Sequence, residues 1–324
     1  MEVISIKDVL DARDRISGHI HRTPVVSSRA LSAITGFDVF FKAENLQKTG
    51  SFKIRGACNR IFSLSREEGE RGIVTASSGN HGQAVAYAAK LCGYKATVVM
   101  PEGGSPVKAA SIKDYGAELI YRGTKSDERI ALAKQMQGER GMTFVPPYDD
   151  PFVMAGQGTA GLEIIEDMED VAAVLAPTGG CGLISGIATA VKETNPGISV
   201  FGVEPEGSNS TGISFRAGGR TALDHPLTVA DGIRTTIPGE LTFPVVQKYV
   251  DDMLTVTDAE VIRAQLLILE RCKLLAEPTG AVAFAALLCG ALPGRFKGRR
   301  VVSLISGGNV ALPQLADYIN KNCL

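Results

Sequence analysis

The chain predicts an α/β architecture. Three features predict it. Strand-like and helix-like runs alternate through most of the length. The strand-like runs are rich in Val, Ile and Leu without polar alternation, the pattern of parallel strands buried on both faces. Three short glycine loops each follow an apolar strand-like run and precede a helix-like one, the kind of junction where such sheets bind ligands.

In chain order the predicted strands are 39–42, 72–76, 96–101, 118–121, 143–146, 172–176, 200–204 and 301–305. The predicted helices are 53–64, 82–92, 106–115, 127–137, 154–168, 183–194, 259–272 and 279–288. Ser105 and Pro106 supply a cap followed by proline at a first helical position. Gly93 and Gly116 fall just after helical runs, where a left-handed stop costs glycine little. Asp258 is the expected cap of the helix that follows it, with Val261 where a capping-box glutamate would stand. The βα units from 72 to 147 suffice for a small open sheet of their own. The expected division is therefore a large domain of 1–66 and 150–324 and an inserted small domain of 67–149, with the site in the cleft between them.

Bulk properties exclude several function classes. A net charge of −1 offers no basic footprint for nucleic acid and no polybasic patch for a membrane. Residues 1–20 carry Glu2, Lys7, Asp8, Asp11, Arg13 and Asp14, which excludes a secretory apolar segment. The longest apolar stretch, 281–292, is broken by Gly290 and falls short of the roughly 18 residues that suggest a membrane span. The chain reads as cytoplasmic. Its six cysteines are scattered without C-x-x-C spacing, and its four histidines form no H-E-x-x-H cluster, so neither disulfides nor a metal is expected.

The chemistry gathers at four short segments. Thr178-Gly179-Gly180-Cys181-Gly182 lies between a strand and a helix opening near Leu183, so its N–H groups and the helix dipole suit a phosphate. The Rossmann spacing fails there, because Gly186 falls one residue late, and no P-loop occurs; a nucleotide-binding oxidoreductase is the disfavoured rival. Lys53 sits in Ser51-Phe52-Lys53-Ile54-Arg55-Gly56-Ala57, and apolar Phe52 and Ile54 argue for partial burial, which lowers an amine's pKa. Ser77-Ser78-Gly79-Asn80-His81-Gly82 brings hydroxyls, an amide and exposed N–H groups to a strand end. Ser306-Gly307-Gly308-Asn309 ends a late strand with a hydroxyl able to meet a ring nitrogen without imposing charge. An amine that can lose its proton, beside glycine-lined anion cradles, is what an aldehyde-and-phosphate cofactor requires. Pyridoxal 5'-phosphate is such a cofactor.

Taken together, these segments resemble the threonine/serine dehydratase and serine racemase group of fold-type II pyridoxal-phosphate enzymes, over about residues 23–309. The resemblance implies two open, mainly parallel sheets flanked by helices, tryptophan synthase β-like, with the site between domains. It implies that Lys53 carries the cofactor and acts as base, with Phe52 beside it, and that Ser78 acts from the opposite ring face. Asn80 would bond the ring 3-oxygen. Gly179, Gly180, Cys181, Gly182 and Leu183 would cup the phosphate, and Ser306 would meet the pyridine nitrogen. Gly232 and Glu277 match pocket-lining positions. Ser77, Ser78, Asn80 and His81 would hold the substrate carboxylate. Tyr148 stands where racemases resemble one another in carrying asparagine, which fits a dehydratase better.

The implied reaction is loss of water from a 3-hydroxy amino acid, threonine or serine, giving a 2-oxo acid and ammonia. Serine racemisation, and dehydration of 3-hydroxyaspartate or phenylserine, stay open; no obvious extra arginine marks a second carboxylate, although Arg129 or Arg234 could reach one. The racemase divalent-cation pattern is broken by Ser210, leaving Glu204 alone in it. Only residues 310–324 follow the last motif, so no C-terminal regulatory domain is expected. The resemblance further implies a homodimer or homotetramer.

Overall fold

A computed structural model describes residues 3–77, 79–104, 106–124 and 126–321. Ser105 and its expected cap lie outside them, as does Ser78.

The chain opens with α1 (Ile6–Ile16), β1 (Val25–Ser27), α2 (Arg29–Thr35), β2 (Asp38–Ala43), α3 (Lys53–Phe62) and α4 (Arg66–Glu70). A compact alternation follows: β3 (Ile73–Ala76), α5 (Asn80–Cys92), β4 (Ala96–Met100), α6 (Pro106–Asp114), β5 (Glu118–Tyr121), α7 (Ser126–Arg140) and β6 (Thr143–Phe144). Then come α8 (Pro151–Asp167), β7 (Val171–Pro177), α9 (Gly182–Thr194), β8 (Ser199–Pro205), α10 (Ser210–Ala217), α11 (Thr242–Tyr249) and β9 (Asp252–Val256). The rest is α12 (Asp258–Cys272), α13 (Pro278–Leu288), β10 (Arg300–Ile305) and α14 (Leu312–Lys321).

The strands form two sheets, one ordered β1-β2-β10-β7-β8-β9 and the other β5-β4-β3-β6. Every pairing is parallel except that of β1 with β2. In the larger sheet β7 leads on to β8 at one side and has the late strand β10 at its other side; in the smaller sheet β3 leads on to β4 at one side and has β6 at its other side, so the strand order reverses at both places. A crevice opens at the carboxyl ends of strands at such switch points. Here the loops after β7, β10, β3 and β6 are the glycine cup, the Ser306 turn, the Ser77 turn and the Pro147-Tyr148 segment.

Burial explains the strand composition. Each residue of β3, β4 and β7 is buried, so no polar alternation survives. Helix α13 is apolar all round and buried from Pro278 to Leu287, packed across the inner face of the larger sheet. Helices α8 and α9 pack on each other at the opposite face, and α3 bridges them to α5 of the smaller sheet.

A buried ionic cluster pins α3. Arg55, fully buried, donates from Nε and Nη2 to Glu44 at 2.7 Å each, and from Nη1 and Nη2 to Glu163 at 2.7 and 2.8 Å. Lys42 Nζ lies 2.6 Å from Glu163 and donates to Thr23 O at 2.7 Å. Two cations thus face two carboxylates, and the helix that begins at Lys53 is tied to the end of β2 and to α8.

Some elements differ from the sequence-based expectation. Strands β1 and β9 are sheet edges, short or only partly buried, and lack the apolar signature. Helix α12 is capped one residue earlier than expected: Thr257 Oγ1 accepts from Glu260 N at 3.2 Å, and Glu260 accepts from Thr257 N at 2.7 Å. The Asp258 carboxylate instead takes Val229 N–H at 3.0 Å and the Thr228 hydroxyl. Among the described residues no helix is long and apolar enough to cross a membrane.

Candidate active site

Lys53 is the first residue of α3, and its side chain leaves the helix toward the cleft between the two sheets. Its Nζ donates to Pro147 O at 2.7 Å and stands 5.1 Å from the centre of the Phe52 ring. No carboxylate among the described residues pairs with it, so burial pulls the amine down to about 8. Near neutral pH, an appreciable fraction of this lysine carries a lone pair.

Opposite lies the glycine cup between β7 and α9. Thr178 N–H is spent on Val203 O at 2.9 Å. The N–H groups of Gly179, Gly180, Cys181, Gly182 and Leu183 have no acceptor among the described residues. They stand at the positive end of α9. Glycine is obligatory at Gly180: a Cβ there would sit 2.3 Å from the Tyr148 ring. Cys181 interrupts the glycines of the cup in a left-handed conformation (φ 72°), with Sγ 3.3 Å from Gly179 O and 3.2 Å from the Thr211 hydroxyl. Burial raises its thiol far above the usual range, so it is a packed, inert group.

The remaining sequence-selected groups converge on the same cavity of about 180 Å³, lined by Phe52, Lys53, Ser77, Asn80, His81, Tyr148, Gly179, Gly180, Cys181, Gly182, Leu183, Gly232, Glu277 and Ser306. Asn80 opens α5 with its amide fixed at both ends: Nδ2 donates to Glu277 at 2.6 Å, and Oδ1 accepts from Asn309 at 3.0 Å. The second Glu277 oxygen is buried without a partner among the described residues, and burial pushes that carboxyl up to about 7. Gly232 N–H donates to Thr279 Oγ1 at 3.1 Å. Ser306 follows β10, and its carbonyl accepts Phe52 N–H at 3.0 Å, which places its turn beside Lys53. Burial, then the nearby Lys53 charge, pull His81 down to about 3. Its neutral ring donates from Nε2 to Val145 O at 3.0 Å, so a carboxylate here meets backbone N–H rather than a charged imidazole.

The cavity also holds groups that the sequence reading did not single out. The Pro147 carbonyl and Lys108, which pairs with Asp231 at 3.0 Å, carried no local motif. Arg129 and Arg234, already named from the sequence for a second carboxylate, both line the wall. Glu204 is buried and accepts Thr211 and Gly212 N–H at 3.0 and 2.6 Å, while Ser210 Oγ donates to Thr235 O at 2.9 Å. Among the described residues no cluster of three metal-ligating side chains occurs.

Five uncommitted N–H groups at a helix N-terminus, facing a partly neutral amine across one cavity, fit an aldehyde that carries a phosphate. A family model described as "Pyridoxal-phosphate dependent enzyme" matches residues 16–307. A Thermotoga maritima protein named L-threonine ammonia-lyase is 45% identical over 319 residues, 98% of this chain and 79% of its own. A Saccharomyces cerevisiae protein named L-threo-3-hydroxyaspartate ammonia-lyase is 41% identical over 320 residues, covering 99% of this chain and 98% of its own. The solved structure of maize serine racemase superposes with a TM-score of 0.94 at 38% identity, covering 98% of each chain.

Proposed function

The chain belongs to the pyridoxal-phosphate dependent enzyme family, and on that footing we propose that it is an ammonia-lyase acting on a 3-hydroxy amino acid, threonine or serine. The substrate loses water across its Cα–Cβ bond. Water is then taken up as ammonia leaves, and a 2-oxo acid remains. The observation that carries this reading is the Lys53 amine, lowered to about 8 and facing the uncommitted N–H cup.

When bound, pyridoxal phosphate supplies an electrophilic aldehyde and a conjugated ring that accepts the electron pair of the broken Cα–H bond. The protein does the rest. The cup would hold the phosphate through backbone N–H groups, which are fixed without side-chain reorganisation. Glu277 and Asn309 fix which way the Asn80 amide faces, and its second Nδ2 hydrogen would be the donor to the ring oxygen. Lys53 takes the Cα proton on Nζ, a general-base step worth roughly 10²–10⁴-fold. Its hydrogen bond to Pro147 O aims the amine, and burial raises the share of it that is neutral. Ser306 offers the ring nitrogen a neutral hydroxyl rather than a carboxylate. A neutral partner there would leave the ring nitrogen without a proton and would favour loss of the β-hydroxyl over amino-group transfer. Ser77 and the first-turn N–H groups of α5 receive the substrate carboxylate. Ser78 lies outside the described residues; its assignment as the acid–base group of the other face is tested by Ser78→Ala.

A second reading is favoured by Arg129 and Arg234, which line the cavity; with their guanidiniums turned from Thr124 and Thr228 they would suit a 3-hydroxy amino acid with a second carboxylate. Release of ammonia and 2-oxo acid, measured over threonine, serine, phenylserine and both 3-hydroxyaspartate diastereomers, separates the two. Racemisation of serine without ammonia would sink the ammonia-lyase reading. The same reading places domain boundaries at 66/67 and 149/150, to be tested by limited proteolysis. It includes a cytoplasmic homodimer or homotetramer, for which light scattering is the test; the free thiols among the described cysteines suit a reducing compartment.

A further inference from the structure

We infer that Asp149 is a positioning residue that locks the acceptor of Lys53 and the glycine cup into one register. The inference rests on the cofactor reading above. Asp149 does not line the cavity. It lies between β6 and α8, and its carboxylate accepts the backbone N–H groups of Glu240 (3.0 Å), Leu241 (2.9 Å) and Thr242 (3.2 Å). These N–H groups lead into α11, where a carboxylate satisfies orphan donors and meets the positive end of the helix. The preceding loop is built around it: a Cβ at Gly239 would fall 2.2 Å from Asp149 Oδ1.

Two lines of contact leave this clamp and reach the site from different directions. Along the chain, Pro147 O receives the Lys53 hydrogen bond at 2.7 Å, and Tyr148 lays its ring against Gly180 and its backbone against Gly182. Across the clamp, Thr242 Oγ1 donates to Gly180 O at 2.8 Å, and Thr242 O accepts from Ser185 of α9 at 3.1 Å. The same carboxylate therefore fixes where Lys53 finds its acceptor and where the cup presents its N–H groups. A helix cap with no other duty would touch only one of these.

The test uses the full-length protein stripped of cofactor and titrated with pyridoxal phosphate, together with the pH midpoint of the visible band in the reconstituted enzyme. Asp149→Ala weakens cofactor binding about tenfold or more, the scale of losing hydrogen bonds to a charged acceptor, and moves the midpoint. Asp149→Asn keeps an oxygen for Leu241 and Thr242 and stays within about threefold. Thr242→Val weakens binding and Thr242→Ser restores it. Wild-type affinity and midpoint in a natively folded Asp149→Ala overturn the inference, as does an Asp149→Asn as weak as Asp149→Ala, which would make bare charge the cause. Should Asp149→Ala fail to fold, unchanged affinity in Thr242→Val overturns it. Lys53→Ala separates the layers: a visible band that survives this change defeats the cofactor reading itself, whereas its loss beside an unaffected Asp149→Ala defeats only the clamp.

Discussion

Asn80 and Glu277 meet across 2.6 Å, and this contact joins the first residue of α5, on the smaller sheet, to the residue preceding α13 on the larger one. Burial raises Glu277 from 4.5 to about 7, so the folded protein binds this proton more tightly than the unfolded chain. Its contribution to stability is full below pH 4.5 and is lost as pH rises through about 7. Glu277→Gln is therefore expected to be neutral at pH 4.5 and to stabilise the cofactor-free protein at pH 8 by on the order of 2 kcal/mol. Denaturant unfolding at both pH values checks this, and equal effects at the two would contradict it.

Lys53 has the opposite sign. Its amine falls from 10.5 to about 8, so the charged form is disfavoured in the fold. The resulting destabilisation is present below pH 8 and disappears as pH rises toward 10.5. Lys53→Met should stabilise the cofactor-free protein at pH 7 by about 2 kcal/mol, discounted for partial exposure, while abolishing turnover. A destabilised Lys53→Met would show that the amine is not desolvated.

Arg55 holds Glu44 and Glu163 in a largely buried site. Removing it leaves buried Glu44 without a cation and Glu163 with Lys42 alone, so Arg55→Ala should lose about 3–5 kcal/mol in urea unfolding. Arg55→Lys cannot reproduce two forked contacts and recovers only part. A loss below about 1 kcal/mol would mean that solvent reaches the cluster.

Gly180→Ala drives a methyl group into the Tyr148 ring at 2.3 Å. The ring must move, and the cup with it; cofactor affinity should fall about tenfold, measured by titration of the stripped protein. Gly180→Ala combined with Tyr148→Ala should recover much of that loss. If the double variant is no better, the defect lies in the cup backbone rather than in the ring.

The sequence made the strands buried on both faces legible, since nothing but apolar residues survives there. Edge strands β1 and β9 escaped because half-solvated strands of three and five residues look like loops. Helix α1 carried a readable signal, Ser5 N–H bonded to Asp8 at 2.8 Å, hidden among charges that had been weighed only against a secretory segment. At the site, the glycine loops and Lys53 were legible because their chemistry is local. Pro147 and Asp149 were not: one acts through a carbonyl that every residue possesses, the other through N–H groups some ninety residues away. Asp258 was misjudged as a cap for a related reason, its carboxylate being claimed by Val229 and Thr228.

The Ser51–Gly307 bridge has a consequence for how the protein is made. Gly50 O accepts Gly308 N–H at 2.9 Å, and Phe52 N–H reaches Ser306 O at 3.0 Å, so the segment bearing the reactive lysine is stitched to one of the last strands. During translation β10 emerges after nearly everything else. A nascent chain stalled before residue 300 therefore lacks the backbone partners of residues 50–52, however completely its smaller sheet has already folded.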